Sequence, residues 1–230
     1  HTPEAFDDWQ AMLDRLRPDV ASVACHFCDH ATVAAAVLRR GIHAFVEKPL
    51  ALTLPDLQRL REAHAEAKGI RLAAMLGLRY DPAFMAAYEA VRRGEIGQVR
   101  LMHGQKSYKL GRRSPLFQRR STYGGTIPWV GSHAIDWLSW MSGAKFESVF
   151  ATHSTAGNRD HGDLELTALC HFTLQGGMFG SVSIDYLRPS GLSTHGDDRI
   201  RVAGTEGIIE VRGGKALLAH LDPPRLEKYL

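Results

Sequence analysis

The spacing of hydrophobic and polar positions changes character once, near residue 98, and the two stretches predict different architectures. Before that point, short apolar runs alternate with helical spacings. Asp19 to Ala24 is a Val-rich run of strand length, and from His30 to Arg40 the residues Val33, Ala34, Ala36, Val37 and Leu38 recur at helical intervals. Gly41 to Val46 reads as a second strand. Thr53-Leu54-Pro55 starts a helix, with Pro just inside it, that runs to Lys68. Ile70 to Leu78 offers a third strand, Asp81-Pro82 opens a helix through Val91 that Gly94 and Gly97 stop, and Pro3 to Leu16 reads as a leading helix. Strand and helix in alternation imply a parallel sheet.

From Gln98 onward the strands lengthen and the helices thin out. Val99 to Gly104, Glu147 to His153, Leu164 to Phe172, Met178 to Tyr186, Arg199 to Val202 and Ile208 to Val211 alternate or run apolar, with Gly or Asp turns between them. Gln175-Gly176-Gly177 and Arg212-Gly213-Gly214 read as hairpin turns, since no helix pattern follows either. The exception is His133 to Met141, where Ile135, Leu138 and Met141 repeat at helical intervals and Gly143 supplies a stop. This pattern predicts an open, mostly antiparallel sheet over residues 98–230, with that helix packing it against the domain of residues 1–97.

Composition narrows the function classes. The 230 residues are 44% hydrophobic and 23% charged, an ordinary globular balance, and the formal charge of +3 is spread out. That gives no case for nucleic acid. Arg112, Arg113, Arg119 and Arg120 do cluster in one segment, from Lys106 to Arg120, which reads either as an anion-binding loop or as a solvated one. Nothing approaches the ~18 consecutive apolar residues of a membrane span. Three cysteines fit a reducing compartment, the cytoplasm, better than a disulfide framework. Cys25-His26-Phe27-Cys28-Asp29-His30 looks like a metal clip but lacks a second ligand pair, so no metal is expected.

The stretch with the most chemistry is Glu47-Lys48-Pro49, at the carboxyl end of the second strand. Ligands bind at that end of an open parallel sheet, and Pro49 stiffens the corner that carries the lysine. The chain begins at His1 without a Met and contains no Gly-x-Gly-x-x-Gly, so it is expected to be part of a longer polypeptide.

Taken in order, these residues resemble the oxidoreductases named for glucose-fructose oxidoreductase, inositol dehydrogenase and MocA. The likeness runs through Pro18-Asp19-Val20, His30, Gly41 to Leu50 with Glu47-Lys48-Pro49, Gly94-Glu95-Ile96-Gly97, Gly124-Gly125, Gly131-Ser132-His133 and Gly204-Thr205-Glu206-Gly207. It implies an α/β plus α+β chain, a partial Rossmann-like parallel sheet followed by the open sheet. It also implies NAD or NADP as cofactor and hydride transfer to or from a carbinol carbon of a sugar or polyol. Carried over by position, Lys48 is the motif lysine and His133 the proton carrier, suited by an ordinary imidazole pKa near ~6.5. Cys25, His26, His30, Glu47, Lys48 and Pro49 fall where the family meets the cofactor. Arg79, Tyr80, Tyr108 and Trp129 are candidates to face substrate.

One departure stands out. The family commonly has Asp four residues before the histidine, and this chain has Trp129, whose indole cannot accept a proton. Trp129 then either shapes a pocket or packs as a structural residue. Asp136 is expected to cap or pair rather than react. Besides the enzyme, two further readings stay open: a cofactor- or ligand-binding relative without turnover, and a sheet whose chief role is to make a homo-oligomer.

Overall fold

A computed structural model describes residues 4–228. The chain divides into two compact units, one formed by the residues up to Met75 with Ser121–Gly124, the other by Leu76–Arg120 and the residues from Gly125.

The first unit contains α1 (Trp9–Leu16), β1 (Val20–Val23), α2 (His30–Arg39), β2 (His43–Val46), α3 (Leu54–Glu66) and β3 (Leu72–Ala74). The leading helix is shorter than its sequence pattern. Asp8, in extended geometry, accepts the backbone N–H of Gln10 at 2.8 Å and so fixes the start at Trp9, whereas Pro3 lies outside the described residues. The three strands are parallel in the order β1-β2-β3, with Val46 opposite both Val23 and Ala74. The expected strand from Ile70 to Leu78 is also shorter. Met75 still donates to the Val46 carbonyl, but β2 ends there, and the chain turns into a 3-10 segment over Gly77–Tyr80. Behind the sheet, Ala34, Ala35 and Leu38 of α2 meet Leu60 and Ala63 of α3 in one buried cluster with Val23, Ala44 and Val46. The small alanines let the helix backbones approach closely. Each buried Leu there contributes about 1.5–3 kcal/mol.

The second unit begins with α4 (Pro82–Arg92), capped by Asp81, and β4 (Val99–Tyr108). A four-residue helix, α5 (Arg120–Tyr123), whose last three residues are counted with the first unit, precedes in sequence a π-helical turn at Ile127–Gly131 that runs directly into α6 (Ser132–Ser142). Then come β5 (Phe146–Ser154), β6 (Thr167–Leu174), β7 (Met178–Asp185), β8 (Gly196–Gly204), β9 (Gly207–Arg212), β10 (Lys215–His220) and β11 (Arg225–Lys228). They form one eight-stranded sheet in the order β11-β10-β9-β8-β4-β7-β6-β5, antiparallel except for the β4–β7 pair. The two Gly-Gly hairpins lie where the sequence puts them, while β10 and β11 extend the sheet beyond the expected last strand.

Helix α6 covers the inner face of this sheet at unusually short range. A Cβ added at Gly104 of β4 would lie 3.2 Å from the Ala134 Cβ, and one at Gly131 would lie 2.5 Å from Ile184 Cδ1. Hydrogen atoms at those two positions set how deeply the start of α6 sinks into the sheet. The other face, with Leu101, Leu169 and Phe179, is open to solvent, as is every residue of β5.

Candidate functional site

In the first unit, the corner after β2 is held from three directions. Glu47 N–H donates to the Val23 carbonyl, continuing the parallel pairing. The Lys48 N–H donates to Glu47 Oε2 at 2.7 Å, and the Lys48–Pro49 peptide is cis. His30, fully buried at the start of α2, lies with Nδ1 2.8 Å from the Pro49 carbonyl and Nε2 3.2 Å from the Cys25 carbonyl. Carbonyls only accept, so in either contact the ring nitrogen is the donor. The structure thus places His30 inside, tying the end of β1 to the end of β2, with Lys48 half-buried on the corner so fixed.

Cys25 and His26 stand exposed at the end of β1. Desolvation holds the Cys25 thiol above its usual pKa, which keeps it protonated and unreactive at neutral pH. Beside it a cavity of 680 Å³ is lined by Trp9, Met12, Ala24, Cys25, Thr32 and Val33, among others. Among the described residues no group of three or more His, Cys, Asp or Glu could hold a metal ion.

In the second unit, His133 sits half-buried in the first turn of α6, four residues beyond Trp129 on the continuous π-to-α run. Side chains at that spacing share a helix face. The start of the run is clamped by Glu165, a buried carboxylate on the segment before β6. Its Oε2 accepts the Thr126 N–H at 2.8 Å, its backbone carbonyl accepts the Thr126 hydroxyl at 2.9 Å, and Arg120 pairs with its Oε1.

Trp129 packs within an aromatic group. Its ring centroid is 4.3 Å from that of Phe117 and 6.3 Å from that of Tyr186, and the Arg113 guanidinium lies 5.6 Å above it. Tyr108, at the end of β4, is 6.5 Å from Tyr186 and 5.4 Å from His195, so the structure brings Tyr108 and Trp129 to one neighbourhood. Burial, with Asp198 nearby, raises the Tyr108 phenol above its ordinary pKa and keeps it a donor.

Arg79 and Tyr80 stand elsewhere. Arg79 makes a two-pronged pair with Asp136 of α6, Nε to Oδ2 at 2.7 Å and Nη2 to Oδ1 at 2.5 Å, while its guanidinium lies 5.7 Å over Trp140. The Asp136 pairing holds the guanidinium still more firmly protonated than usual. Asp136 therefore pairs with a different element rather than within its own helix. Tyr80 is 79% exposed.

Two features escape the sequence reading. Lys106 is completely buried, with Nζ 2.6 Å from Asp198 Oδ2 and over the rings of Tyr108 and Trp137 at 5.2 Å each. Burial lowers its pKa, and Asp198 offsets part of that fall. The signal was the strand period: Met102, Gly104 and Lys106 share the inward register of β4. The second feature is Arg113 folded over two aromatic rings rather than standing in solvent.

Residues 84–210 match the model of the GFO/IDH/MocA C-terminal domain, and residues 1–74 match that of the oxidoreductase family with an NAD-binding Rossmann fold. A solved structure described as an oxidoreductase from Thermotoga maritima is 46% identical, with a TM-score of 0.94 over 99% of this chain and 70% of that one. Myo-inositol 2-dehydrogenase of Thermotoga maritima is 26% identical over 233 residues, which is 99% of this chain and 67% of that protein. GenD2 from gentamicin A biosynthesis, solved in complex with NAD, is 25% identical, with a TM-score of 0.79 over 90% of this chain and 58% of that one. The matched stretch spans only 36% and 41% of the length of two other curated relatives.

Proposed function

We propose, for a chain that belongs to the GFO/IDH/MocA oxidoreductase family, that it forms the greater part of a dehydrogenase moving hydride between NAD or NADP and a carbinol carbon of a sugar or polyol. The observation that carries this is the match of both halves, in order, to the two parts of one family. In this reading residues 1–97 belong to the dinucleotide-binding part and residues 98–230 to the substrate and oligomerisation part.

The groups offered at the carboxyl ends of β1 and β2 fit a dinucleotide. Cys25, His26 and the Glu47-Lys48-Pro49 corner stand at adjacent parallel strand ends, and Cys25 also lines a cavity with room for a ribose. The nicotinamide supplies the hydride acceptor or donor. Lys48 offers a fixed ammonium that would favour an alkoxide over an alcohol, and His133 offers an imidazole that would take up or return a hydroxyl proton. Arg79 orders α6 through Asp136, one turn beyond His133.

A second reading is favoured by Trp129, which packs on Phe117 and offers no proton acceptor, namely a binding relative of the same fold without turnover. We further infer a cytoplasmic protein, in keeping with three free thiols; among the described residues no helix is long and apolar enough to cross a membrane. A homo-oligomer built on the open sheet face is part of the same proposal. Leu101 and Phe179, paired across β4 and β7, and Leu169 further along β6 are exposed apolar residues that a second copy would cover.

The test is nicotinamide absorbance with a polyol and sugar panel on the full-length protein, alongside thermal protection by NAD and NADP. His133→Ala should remove most turnover while leaving cofactor affinity nearly intact, and Lys48→Ala should lower turnover too. Cofactor protection without turnover supports the binding relative. If neither cofactor protects and no substrate reacts, the enzyme reading is wrong.

A further inference from the structure

Arg113 is a half-buried arginine that stacks on aromatic rings without a carboxylate partner. Its guanidinium lies 4.8 Å over the Tyr186 ring and 5.6 Å over Trp129, so the two aromatic faces hold it flat. Of its five N–H groups, one from Nη2 is spent on the Lys109 carbonyl at 2.9 Å, while Nε is buried and has no hydrogen-bond partner. Among the described residues no carboxylate forms an ion pair with it. Asp185 accepts from Ser107 and from the Leu187 N–H, Asp197 pairs with Arg199 and Arg188, and Asp198 pairs with Lys106. A stacked guanidinium presents only its edge. An edge of parallel N–H donors matches a planar carboxylate better than any neutral hydroxyl.

Its place in the fold gives that edge a use. Arg113 rests on Trp129, and Trp129 stands one helical turn before His133 on the same run. Arg113 therefore stands, through Trp129, beside the run that carries the imidazole. Position 129 itself contributes an indole, not an acid, so the guanidinium meets a ring there and no ion-pair partner.

We propose that Arg113 is the specificity determinant of the substrate site and that the substrate is a sugar acid, an aldonic or uronic acid whose carboxylate docks on the guanidinium edge. The proposal rests on the dehydrogenase reading for its chemistry, since the carbinol carbon of the same molecule is the one that reacts. It does not rest on that reading for binding. The Nη groups, of whose N–H donors only one is spent, gain a charged acceptor when the carboxylate arrives.

Isothermal titration calorimetry on the full-length protein, with glucuronate against glucose and gluconate against sorbitol, reads the binding without turnover. Initial rates on the same four compounds with NAD and NADP read the chemistry. The acid of each pair should bind more tightly, by roughly 10-fold or more, as a charge-assisted pair allows. Arg113→Gln should erase that preference, and Arg113→Lys, which keeps the charge but loses the planar edge, should fall between. Acid preference in binding without any turnover leaves this inference standing and sinks the dehydrogenase. Turnover of neutral polyols with no preference for acids does the reverse. Equal binding of acid and neutral partner by the wild type overturns the proposal, as does an undiminished preference in either variant. Should Arg113→Gln fail to fold, Arg113→Lys decides.

Discussion

Lys106→Met would remove a buried ammonium while keeping the volume of its stem, which makes it a clean probe of the second unit's polar interior. The Lys106 side chain is 0% exposed and Asp198, 2.6 Å away, is 21% exposed. Asp198 Oδ1 is already buried without a partner, so the substitution would leave the carboxylate with neither oxygen compensated. Breaking a fully buried pair from one side costs about 3–5 kcal/mol. Asp198 lines a cavity of 590 Å³ that water can enter, which puts the expected loss at the lower edge, about 2–3 kcal/mol. For a chain of this size that is a fall in Tm of roughly 5–10 °C. Asp198→Asn in the Met background removes the stranded charge and should restore more than half of the loss. Urea unfolding of the wild type, both single variants and the double variant at pH 7 gives the coupling directly. If Lys106→Met unfolds within ~0.5 kcal/mol of the wild type, or if the two changes simply add, the ion pair does not hold this region together.

The same lysine gives a pH dependence of definite sign. Its folded pKa lies below the 10.5 of the unfolded chain, so the unfolded state binds more protons between the two values. Stability should accordingly rise with pH across that window and fall as pH drops through the folded pKa, with the slope absent from the Met variant in alkaline melts. Gly131→Ala places a Cβ 2.5 Å from Ile184 Cδ1 and should cost about 1–3 kcal/mol by overpacking. Ile184→Val removes that carbon, and thermal melts of the pair should show the penalty relieved. His30→Phe leaves the Pro49 carbonyl unmatched and should lower the urea midpoint by an amount worth about 1–3 kcal/mol, an unchanged midpoint being the contrary result. Glu165→Ala should destabilise more than Glu165→Gln, because Gln still accepts from the Thr126 N–H, and equal midpoints would show that the clamp is not what orders the π-helical turn.

The parts legible in the sequence are those fixed by local chemistry. Thr53 before Pro55 and Asp81 before Pro82 mark helix starts that the structure keeps, since a side-chain acceptor and a locked φ act within four residues. The Gly-Gly turns are legible for the same reason. Strand length is not: β3 stops at Ala74 because its neighbour β2 runs out, and that is a property of another segment. The π-helical turn is likewise set from afar, by Glu165 lying 39 positions from Thr126. His30 shows both sides of this. Its place at the head of α2 was readable, but its two contacts with carbonyls at Cys25 and Pro49 depend on where two strands end. Arg113 was visible only as one of four clustered arginines, and nothing local distinguishes the one that folds over Trp129 and Tyr186.

The parallel pairing of β4 with β7 has a consequence for assembly. The strands β5, β6 and β7 form one meander and β8 to β11 another, closed by short turns except for the longer segment between β5 and β6, and the strands of one meander do not pair with those of the other. Strand β4 is inserted between them, with Leu101 opposite both Phe179 and Ala203, like a zip closing two halves of a garment. Bridging from β4 to β7 closes a loop more than twentyfold longer than a hairpin's, an entropic handicap of about 3 kcal/mol relative to the local turns. The meanders can thus ripen early, and the unit becomes a single cooperative body only when its first-made strand finds its slot; pulse-labelled amide exchange showing β4 protected ahead of the hairpins would contradict that order.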